Sequence, residues 1–493
     1  MSRTQATSTP KPNYDAIADK IRGCIFGSAL GDAMGLATEF MTKDTAYAIY
    51  GGESDEPPLL FERFYNDSHR KNWIPGDFTD DTDQHMILLS TVLAGRPMPT
   101  FSSTEFASRL YHWSCTGLLT LRKPSLGIGA TVGSVLSQPG YTSHPIATAF
   151  EMWVRGGKRA AANGAVMRVA GLGCVEFWSE SVVVRNAVAS ARVTHADPRC
   201  VFSAVVVAVL VARMLREEIG RGGDVKEGVS PEQLMVAAFG GDDEPGEGMF
   251  ELPEDIRRPG DAGDSPAGSS GMLSRLGNAL SSLTQKSPAQ QWASIFEEFA
   301  QRLKNTRTNF AAPPSKPAPP STFPTAPDPA RLAATQAVLA TYAPLLAMYG
   351  KDTSEVEWES DIATYCHQPT FARLQLDDRA TMGYTLKCLG SALLCHALPA
   401  TAENAVPHGA LFRDAITAVV LQGGDADTNA AVCGALMGCR VGYEELPKEW
   451  LAGLRNKAFL EERVQALVEV VIDRLKVATQ RFDVKWDGCG STS

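Results

Sequence analysis

Two blocks of helix-like sequence flank a long polar stretch, and this layout constrains the fold more than any other feature of the chain. Residues 219–290 are rich in Gly, Asp, Glu and Ser, and residues 311–330 are rich in Pro. A segment of this composition buries too little apolar area to offset its chain entropy. We therefore predict that about 219–330 is a largely disordered, low-complexity insertion, in which QQWASIFEEFAQRLKN has the pattern of one amphipathic helix. The alternative interpretation is a boundary between two separate domains.

The two flanking blocks predict an all-α protein. In YDAIADKIRGCIFGSALGDAMG the apolar residues recur at helical spacing. In DPRCVFSAVVVAVLVARMLREE we expect a helix that begins with Asp197 as its N-cap and Pro198 at its first position. Convincing strands are scarce and no βαβ rhythm is visible, so we predict one compact multi-helix domain. Its predicted segments are a disordered lead at 1–13, a first part at 14–218, a second part at 331–480 and a tail at 481–493.

Composition and charge narrow the function classes. The 493-residue chain has a net charge of −10 and lacks a cluster of Lys and Arg, so we expect no nucleic-acid partner. Its ten cysteines form no Cys-x-x-Cys pair, and several lie in apolar helical patterns. This usage makes a zinc site unexpected and is typical of reduced thiols in an intracellular protein, cytoplasmic or nuclear. The longest apolar run, 201–215, is shorter than a membrane span and contains Arg213, so we predict a buried helix and no membrane association.

Two acidic turns carry the chemistry that the sequence suggests. The stretch GDFTDDTDQHMILLS places carboxylates and threonines at the start of a helix, and GGDADTNAAVCGALMG does the same after two glycines that permit a tight turn. Oxygen ligands of this kind suit a hard divalent cation such as Mg²⁺, and two such turns brought together can hold a pair of ions. The residues concerned are Thr79, Asp80, Asp81, Asp425, Asp427 and Thr428.

The competing interpretation of these turns is structural. Asp and Thr before an apolar run are ordinary helix N-caps, and the N-terminal end of a helix dipole favours anions. For either turn alone, capping is the favoured interpretation, whereas the shared form of the two turns shifts the balance toward a metal. An EF-hand is disfavoured because DADTNAAVCGAL lacks the central Gly and the terminal Glu of that calcium loop.

Four motifs in a fixed order give the chain a family resemblance. They are GCIFGSALGDAMGLATEF (23–40), FTDDTDQHMILL (78–89), ANGAVMRVAGLG (162–173) followed by THADP (194–198), and GGDADTNAAVCGALMG (423–438). With these motifs the chain resembles the ADP-ribosylglycohydrolase family over about 14–215 and 331–475. The resemblance implies an all-α domain with a binuclear magnesium centre. It also implies cleavage of the bond that joins C1″ of ADP-ribose to an acceptor.

The same resemblance implies roles for the acidic residues. Thr79, Asp80 and Asp81 are expected to bind one magnesium ion, and the turn at 425–428 the second, with Asp427 as a bridge. Glu39 matches a family glutamate that lies near the metals and positions the water or gates the cleft. The general base is either Glu39 or one of the metal-binding aspartates, and the sequence leaves this choice open.

The resemblance also points to substrate-binding residues, each with a structural alternative. Gly127 and Gly129 in LGIGATVGS can offer backbone N–H groups to the diphosphate, or form a plain turn between helices. Asn163 and Gly164 are expected at the phosphate or ribose, although Ala162 stands where the family usually has Gly. His195 is expected at the ribose, or is a structural histidine.

Four other side chains lie in or near the same motifs. Arg168 either contacts the ligand or pairs inside the fold, and His85 is expected in the core. Tyr141 and Trp153 are candidates for adenine contact, although most aromatic residues there are expected in the core.

We therefore expect a monomeric, magnesium-dependent hydrolase that acts on ADP-ribose derivatives or ADP-ribosylated protein. The acceptor linkage, whether to Arg, Ser or a small molecule, is open. One alternative is a non-catalytic ADP-ribose-binding or structural relative that retains the fold. Another is a scaffold that recruits partners through the Pro-rich tract of the insertion.

Overall fold

The computed structural model describes residues 12–51, 59–95, 101–219, 294–295, 297–302, 327–347, 358–367, 369–399 and 408–486. The predicted disorder of the N-terminal lead and of most of the insertion lies outside these residues, as does the part of the predicted tail that follows residue 486. Within them, all regular structure is helical, apart from the isolated bridges Leu118–Lys123 and Ala162–Tyr384, so the all-α prediction is confirmed.

The helices follow the sequence pattern closely. In the first block they are α1 (Tyr14–Gly35), α2 (Lys43–Tyr50), α3 (Asp80–Ala94), α4 (Ser103–Thr116), α5 (Ala130–Leu136), α6 (Pro145–Arg155), α7 (Glu180–Arg192) and α8 (Pro198–Glu217). In the second block they are α9 (Pro329–Tyr342), α10 (Trp358–Ile362), α11 (Phe371–Leu374), α12 (Thr385–His396), α13 (His408–Val420), α14 (Ala426–Val441), α15 (Lys448–Gly453) and α16 (Lys457–Trp486).

Helix α8 runs through the interior of the domain. It begins at Pro198, and the Asp197 carboxylate accepts a hydrogen bond from the Arg199 amide, as the N-cap prediction requires. By length and composition α8 would be able to cross a membrane, but 94% of its apolar window is buried inside the protein. The prediction of a buried helix over 201–215 is therefore confirmed.

Both sequence blocks contribute to one hydrophobic core. The same continuous cluster contains Ile25 and Val205 from the first block and Leu389, Leu436 and Leu467 from the second. Two separate domains would each enclose a core of their own, so the interpretation of 219–330 as a domain boundary is wrong. The two blocks form a single domain, and the segment between them is an insertion.

Close backbone packing joins α1, at the start of the first block, to α14, near the end of the second. Glycines recur every fourth residue on the contact face of α1, at positions 23, 27, 31 and 35. A Cβ atom added to Gly27 would lie 2.3 Å from the Gly434 carbonyl oxygen, and one added to Gly31 would lie 1.9 Å from that of Ala430. The two backbones are therefore in direct contact, which only residues without a side chain permit.

This contact is antiparallel, and it brings the predicted functional motifs to one end of the helix pair. Gly23 lies against Gly438, whereas Gly35 lies against Asp427 at the start of α14. The C-terminal end of α1, which leads to Glu39, therefore meets the acidic turn that opens α14.

Part of the insertion contacts the domain. Residues 297–302 are helical, as the amphipathic pattern predicts. The Glu298 carboxylate pairs with the Arg122 guanidinium, and Arg302 Nη1 donates to the Leu121 carbonyl oxygen at 3.3 Å. These contacts fall on the turn that precedes the glycine-rich segment at 126–134.

The backbone contact between α1 and α14 makes a stability prediction. Gly27→Ala should lower the free energy of unfolding by about 3 kcal/mol, because the new methyl group meets backbone atoms that cannot rotate away. Gly133→Ala in α5 is the matched control, since its nearest neighbour would be the Ile128 Cγ2 atom at 3.6 Å. Urea denaturation should show the control unchanged or more stable by about 0.5–1 kcal/mol. Equal stability of the two variants would contradict the proposed contact.

Candidate active site

The two acidic turns, separated by more than 300 residues of sequence, meet in the fold. The Thr428 hydroxyl at the start of α14 donates a hydrogen bond to Asp81 Oδ1 at the start of α3, over 3.3 Å. The sequence hypothesis of two turns that fold onto each other therefore matches the geometry.

Thr79 and Asp32 cap the N-terminal end of α3. The Thr79 hydroxyl accepts a hydrogen bond from the Asp81 amide at 3.3 Å. Asp32, on α1, accepts from the Thr79 amide at 2.9 Å and from the Thr82 amide at 3.0 Å. The Thr79 side chain thus caps the helix, whereas the carboxylates of Asp80 and Asp81 do not.

The turn before α14 shows the same separation of roles. Asp425 occupies the N-cap position, but its side chain makes no capping hydrogen bond. Its Oδ2 atom instead accepts from Asn163 Nδ2 at 2.8 Å, which ties the 162–173 loop to the acidic turn. Gly423 and Gly424 have φ angles of +70° and +69°, so the two glycines do form the tight turn that the sequence indicated.

The carboxylates of this cluster are buried together. The exposed fractions of Asp80, Asp81 and Asp427 are 7%, 3% and 5%. Burial raises the pKa of each of the three carboxyl groups well above its usual range, and the neighbouring carboxylates raise it further. Within the described residues, Asp81 Oδ2 and Asp427 Oδ1 are buried and accept no hydrogen bond.

These residues provide the donor set of a hard cation. Carboxylate and hydroxyl oxygens are the ligands that Mg²⁺ prefers, and two buried oxygens here lack another partner. As the side chains stand, no group of three or more His, Cys, Asp or Glu in the described part of the chain is arranged as a ready-made metal site. The chemistry of the cluster therefore fits the cation, while the coordination geometry is not preformed.

A buried relay joins the first acidic turn to the predicted ribose histidine. Gln84 Nε2 donates to Asp80 Oδ2 at 2.7 Å, and Gln84 Oε1 accepts from Arg168 Nη1 at 2.7 Å. Arg168 Nη2 in turn donates to the Thr194 hydroxyl at 2.7 Å, which is 2.8 Å from His195 Nδ1. Arg168 is fully buried, so of the two roles considered for it, pairing inside the fold is the one observed.

His195 borders a pocket next to the 162–173 loop. A Cβ atom on Gly164 would lie 2.9 Å from His195 Cε1, so Gly164 and His195 are in contact. Burial lowers the pKa of His195 to about 3, so its ring is neutral. The pocket has a volume of about 340 Å³ and is lined in part by His195, Trp153, Thr131 and Ser134.

The glycine-rich segment reaches the first acidic turn. Gly127 has a φ angle of +89°, and a Cβ atom there would lie 2.7 Å from Asp80 Oδ1. Gly129 immediately precedes α5 and, like Gly127, is exposed. The fold therefore brings Gly127 beside Asp80, whereas Gly129 lies further along the same exposed segment.

The remaining candidates are placed as follows. Tyr141 and Trp153 are buried, and Trp153 Nε1 donates to Asp197 Oδ2 at 3.0 Å, while the Trp153 side chain also lines the pocket. His85 is buried and its Nε2 accepts a hydrogen bond from the Gly171 amide at 3.1 Å, in agreement with the core prediction. Ala162 is half-buried and forms the bridge to Tyr384.

Glu39 lies at the edge of the cluster and pairs with a histidine. Its Oε2 atom is 2.6 Å from His69 Nε2. Burial raises the pKa of Glu39, while the contact with His69 acts in the opposite direction. Asp425 lies close enough for its charge to raise that pKa further, so Glu39 belongs to the same acidic group.

Comparison with known proteins identifies the family of the chain. The family model for ADP-ribosylglycohydrolase matches residues 13–240 and 267–480. The chain belongs to the ADP-ribosylglycohydrolase family. The 26 positions between the two matched ranges, 241–266, fall inside the insertion. Membership supports hydrolase activity of the ADP-ribosylglycohydrolase type in general.

Two individual proteins match this chain with lower coverage or lower sequence identity. An uncharacterized protein of Archaeoglobus fulgidus is 33% identical over 194 residues, which are 39% of this chain and 55% of that protein. The match thus spans about half the length of that relative. A solved structure described as an ADP-ribosylglycohydrolase-related protein complex is 17% identical, with a TM-score of 0.43 over 93% of this chain and 99% of that chain.

Several residues that support the acidic site were not among the sequence candidates. Asp32 lies in the quoted Gly-Asp-Ala motif of α1, so the motif itself was an available signal. His69 lies in a loop without a recognisable pattern, and only the fold places it on Glu39. Lys123 is buried, and its Nζ atom is 2.6 Å from Asp83 Oδ1 on α3 and 2.6 Å from the Phe78 carbonyl oxygen.

The buried pair of Lys123 and Asp83 predicts a pH-dependent loss of stability. Lys123→Met should cost about 3–5 kcal/mol at pH 8, because it leaves a buried carboxylate uncompensated. Burial raises the pKa of Asp83 to about 7 in the folded state, whereas in the unfolded chain the pKa is about 4. Between about pH 4 and pH 7 the Asp83 carboxyl group is therefore protonated in the folded protein and ionised in the unfolded chain. The cost of the substitution should therefore decrease as the pH falls from 8 to 5.

Urea denaturation across this pH range measures the effect. Lys448→Met is the control, since Lys448 pairs with Glu444 on the surface and its loss should change stability by less than about 0.5 kcal/mol at any pH. A cost for Lys123→Met that stays constant between pH 5 and 8 would show that Asp83 is not the group left unpaired.

Proposed function

We propose that the protein is a magnesium-dependent hydrolase that cleaves the glycosidic bond between C1″ of ADP-ribose and an acceptor. One observation carries this proposal. Two distant acidic turns meet at a buried cluster in which Asp81 Oδ2 and Asp427 Oδ1 have no hydrogen-bond partner within the described residues. Buried carboxylates without a compensating partner are costly, and cation binding is the use that repays that cost.

We assign the ions to the residues of the two turns. Thr79, Asp80 and Asp81 would hold one Mg²⁺, and Asp425, Asp427 and Thr428 the second, with Asp427 shared. The Thr79 hydroxyl oxygen already accepts one hydrogen bond but has a second lone pair available. Bound Mg²⁺ supplies positive charge that orients ribose hydroxyls and makes a nearby water more acidic.

The protein's own carboxylates suit the charge that develops in this reaction. Glycosidic cleavage passes through an oxocarbenium-like state, in which positive charge grows on the ribose ring. Negative groups around the ring stabilise that state. Because Asp80, Asp81 and Asp427 are assigned to the cations, Glu39 is the carboxylate that we propose as base or water-positioning group. His69 orients it through the hydrogen bond at 2.6 Å.

The ADP part of the substrate would extend from the cluster toward the pocket beside His195. Asn163, Gly164 and His195 lie between the acidic turn and this pocket, and Gly127 and Gly129 offer exposed backbone along the adjoining segment. A volume of about 340 Å³ is within the range of ligand pockets and suits part of a nucleotide. Trp153 is the aromatic residue that lines the pocket.

The cysteines bear on the compartment in which we propose that the enzyme works. The nine cysteines in the described residues are free, and all except Cys115 are buried. Free thiols support a reducing compartment. We propose in addition that the enzyme is a monomer and acts on ADP-ribose derivatives or ADP-ribosylated protein.

Magnesium should stabilise the folded protein in a pH-dependent manner. Millimolar MgCl₂ should raise the melting temperature by about 2–5 °C at pH 8 and by less at pH 6. The sign follows from the raised pKa values of Asp80, Asp81 and Asp427, because protons that remain on these carboxyl groups at lower pH compete with the cation.

Thermal denaturation at constant ionic strength tests this effect. Asp427→Ala should abolish the shift, whereas Asp473→Asn, an exposed aspartate on α16, should retain it. A shift that is equally large in Asp427→Ala would place magnesium at another site.

Turnover should depend on the same carboxylate. With Arg-, Ser- and small-molecule-linked ADP-ribose as substrates, the wild type should release ADP-ribose from at least one linkage in the presence of magnesium. Asp427→Asn should lower kcat by about 100-fold or more, and Asp473→Asn should change it less than about twofold.

The same three substrates distinguish the hydrolase from the alternative function, a non-catalytic ADP-ribose-binding protein. Chromatography of released ADP-ribose gives the rate, and calorimetry gives the affinity for free ADP-ribose. Tight binding of ADP-ribose without hydrolysis of any of the three linkages would favour the non-catalytic ADP-ribose-binding relative.

A further inference from the structure

A second pocket lies apart from the acidic cluster. It has a volume of about 380 Å³ and is formed by helices α3, α4 and α16 and the turn at 117–120. None of its lining residues belongs to the acidic turns, to the glycine-rich segment or to the pocket beside His195. Its volume is within the range of small-molecule sites, so it is large enough for a ligand of its own.

The inner wall of this second pocket is apolar and fixed in place. Met86 and Phe459 are buried along the wall, together with the ring of Trp113. Trp113 Nε1 donates to Asp83 Oδ2 at 3.1 Å, and Lys123 holds the other oxygen of the same carboxylate. The hydrogen bond fixes the orientation of the Trp113 ring, so this wall exists before any ligand binds.

An exposed leucine extends the apolar wall toward solvent. Leu119 is 43% exposed and lines the pocket from the turn. The other large apolar side chains that are exposed in the described residues, Phe40 and Val477, do not line it. A single exposed apolar residue is ordinary on a protein surface, but Leu119 continues a buried apolar wall. A ligand with an apolar ring would cover both the wall and Leu119.

The polar side of the second pocket is cationic. Arg109, Arg463 and His112 line it, and none of the lining residues, all of which lie in the described part of the chain, is Asp or Glu. Such a lining contrasts with the net charge of −10 of the whole chain. Arg109 donates to Glu105 through its Nε atom at 2.7 Å, so within the described residues its terminal nitrogens remain free for a ligand.

Arg463 is only loosely paired with a carboxylate. Its guanidinium lies over the Phe459 ring, 3.5 Å from the centroid, and its Nη1 atom donates to the Phe459 carbonyl oxygen at 3.3 Å. The carboxylate of Glu462 is 3.9 Å away and its side chain is 80% exposed. Partial burial lowers the pKa of Arg463, because the charge loses hydration that no close anion replaces within the described residues. An anionic group in the pocket would compensate this charge.

We propose that this pocket is a second ligand site, which binds a small molecule that joins an apolar ring to a phosphate group. Two guanidinium groups and the imidazole of His112, with the hydroxyls of Ser108 and Thr120 on the same lining, suit an anion with several acceptor oxygens and two negative charges. The apolar wall and Leu119 suit the ring. The site is independent of the proposed function, since no residue of the acidic cluster takes part in it.

Fluorescence anisotropy of 1-naphthyl phosphate tests this site with the full chain at low ionic strength. A ligand of this size should bind with a dissociation constant of about 0.1–1 mM. Three competitors separate the contributions of ring and anion: phenyl phosphate has both, inorganic phosphate lacks the ring, and benzyl alcohol lacks the anion. Phenyl phosphate should displace the probe at concentrations at least about tenfold lower than either of the others.

Variants of the lining assign the probe to this pocket. Arg463→Met retains the apolar stem without the charge and should weaken binding about tenfold, and Leu119→Ser should weaken it about threefold. Arg474→Met is the matched control, because Arg474 lies on the same helix and its side chain has the same exposed fraction of 22%, but it pairs with Glu176 and does not line the pocket. Its effect should be less than about twofold.

Two further variants keep this inference separate from the proposed function. Asp427→Ala and Asn163→Ala, which alter the acidic cluster and the proposed ADP site, should bind the probe as the wild type does. A loss of probe affinity in either would place the probe there and overturn the second site. An equal loss in Arg463→Met and Arg474→Met, or equal displacement by benzyl alcohol and phenyl phosphate, would also overturn it. The expected binding pattern in a protein that hydrolyses no ADP-ribose linkage would overturn only the proposed catalysis.

Discussion

The direct backbone contact between α1 and α14 is the constraint on which the site depends. Glycines on both helices let the carbonyl of one meet the Cα atoms of the other, as at Gly27 and Gly434. The fit permits little rotation of α1 about its axis, because rotation would bring side chains such as that of Leu30 against the partner backbone. In this packing of α1 on α14, Gly35 lies against Asp427. The C-terminal end of α1 therefore places both Asp32 and Glu39 at the acidic cluster.

The rest of the domain compensates for a cluster that is unfavourable by itself. Several carboxylates in one buried place repel one another and lose hydration, which raises their pKa values and lowers the stability of the fold. Polar groups around the carboxylates fix the position of each turn. Asp32 accepts a hydrogen bond from the Thr79 amide at the start of α3, and Lys123 donates one to Asp83 on the same helix. The buried Arg168 connects the same turn to the loop of His195. Such a shell fixes the backbone of the two turns that carry the free carboxylate oxygens.

Local pattern was sufficient for the elements and for part of the site. The apolar period predicted α1 and α8 with their starts, and the polar composition predicted an insertion within one domain. The two acidic turns were recognisable because a run of Asp and Thr at a helix start is a local feature. Sequence alone left open whether these residues cap their helices. In the structure the Thr79 side chain caps α3, whereas that of Asp425 is bonded to Asn163.

What the sequence by itself determined is therefore the helical class, the insertion and the identity of the oxygen-bearing residues. All of these depend on composition or on neighbours a few positions apart. Only the tertiary structure decided that Thr428 meets Asp81 and that His69 orients Glu39. These contacts join residues that are up to hundreds of positions apart. They exist because helices without side chains at their crossing can approach until their backbones touch. The glycine spacing in α1 marks the face that does so, but it does not show which helix will be the partner.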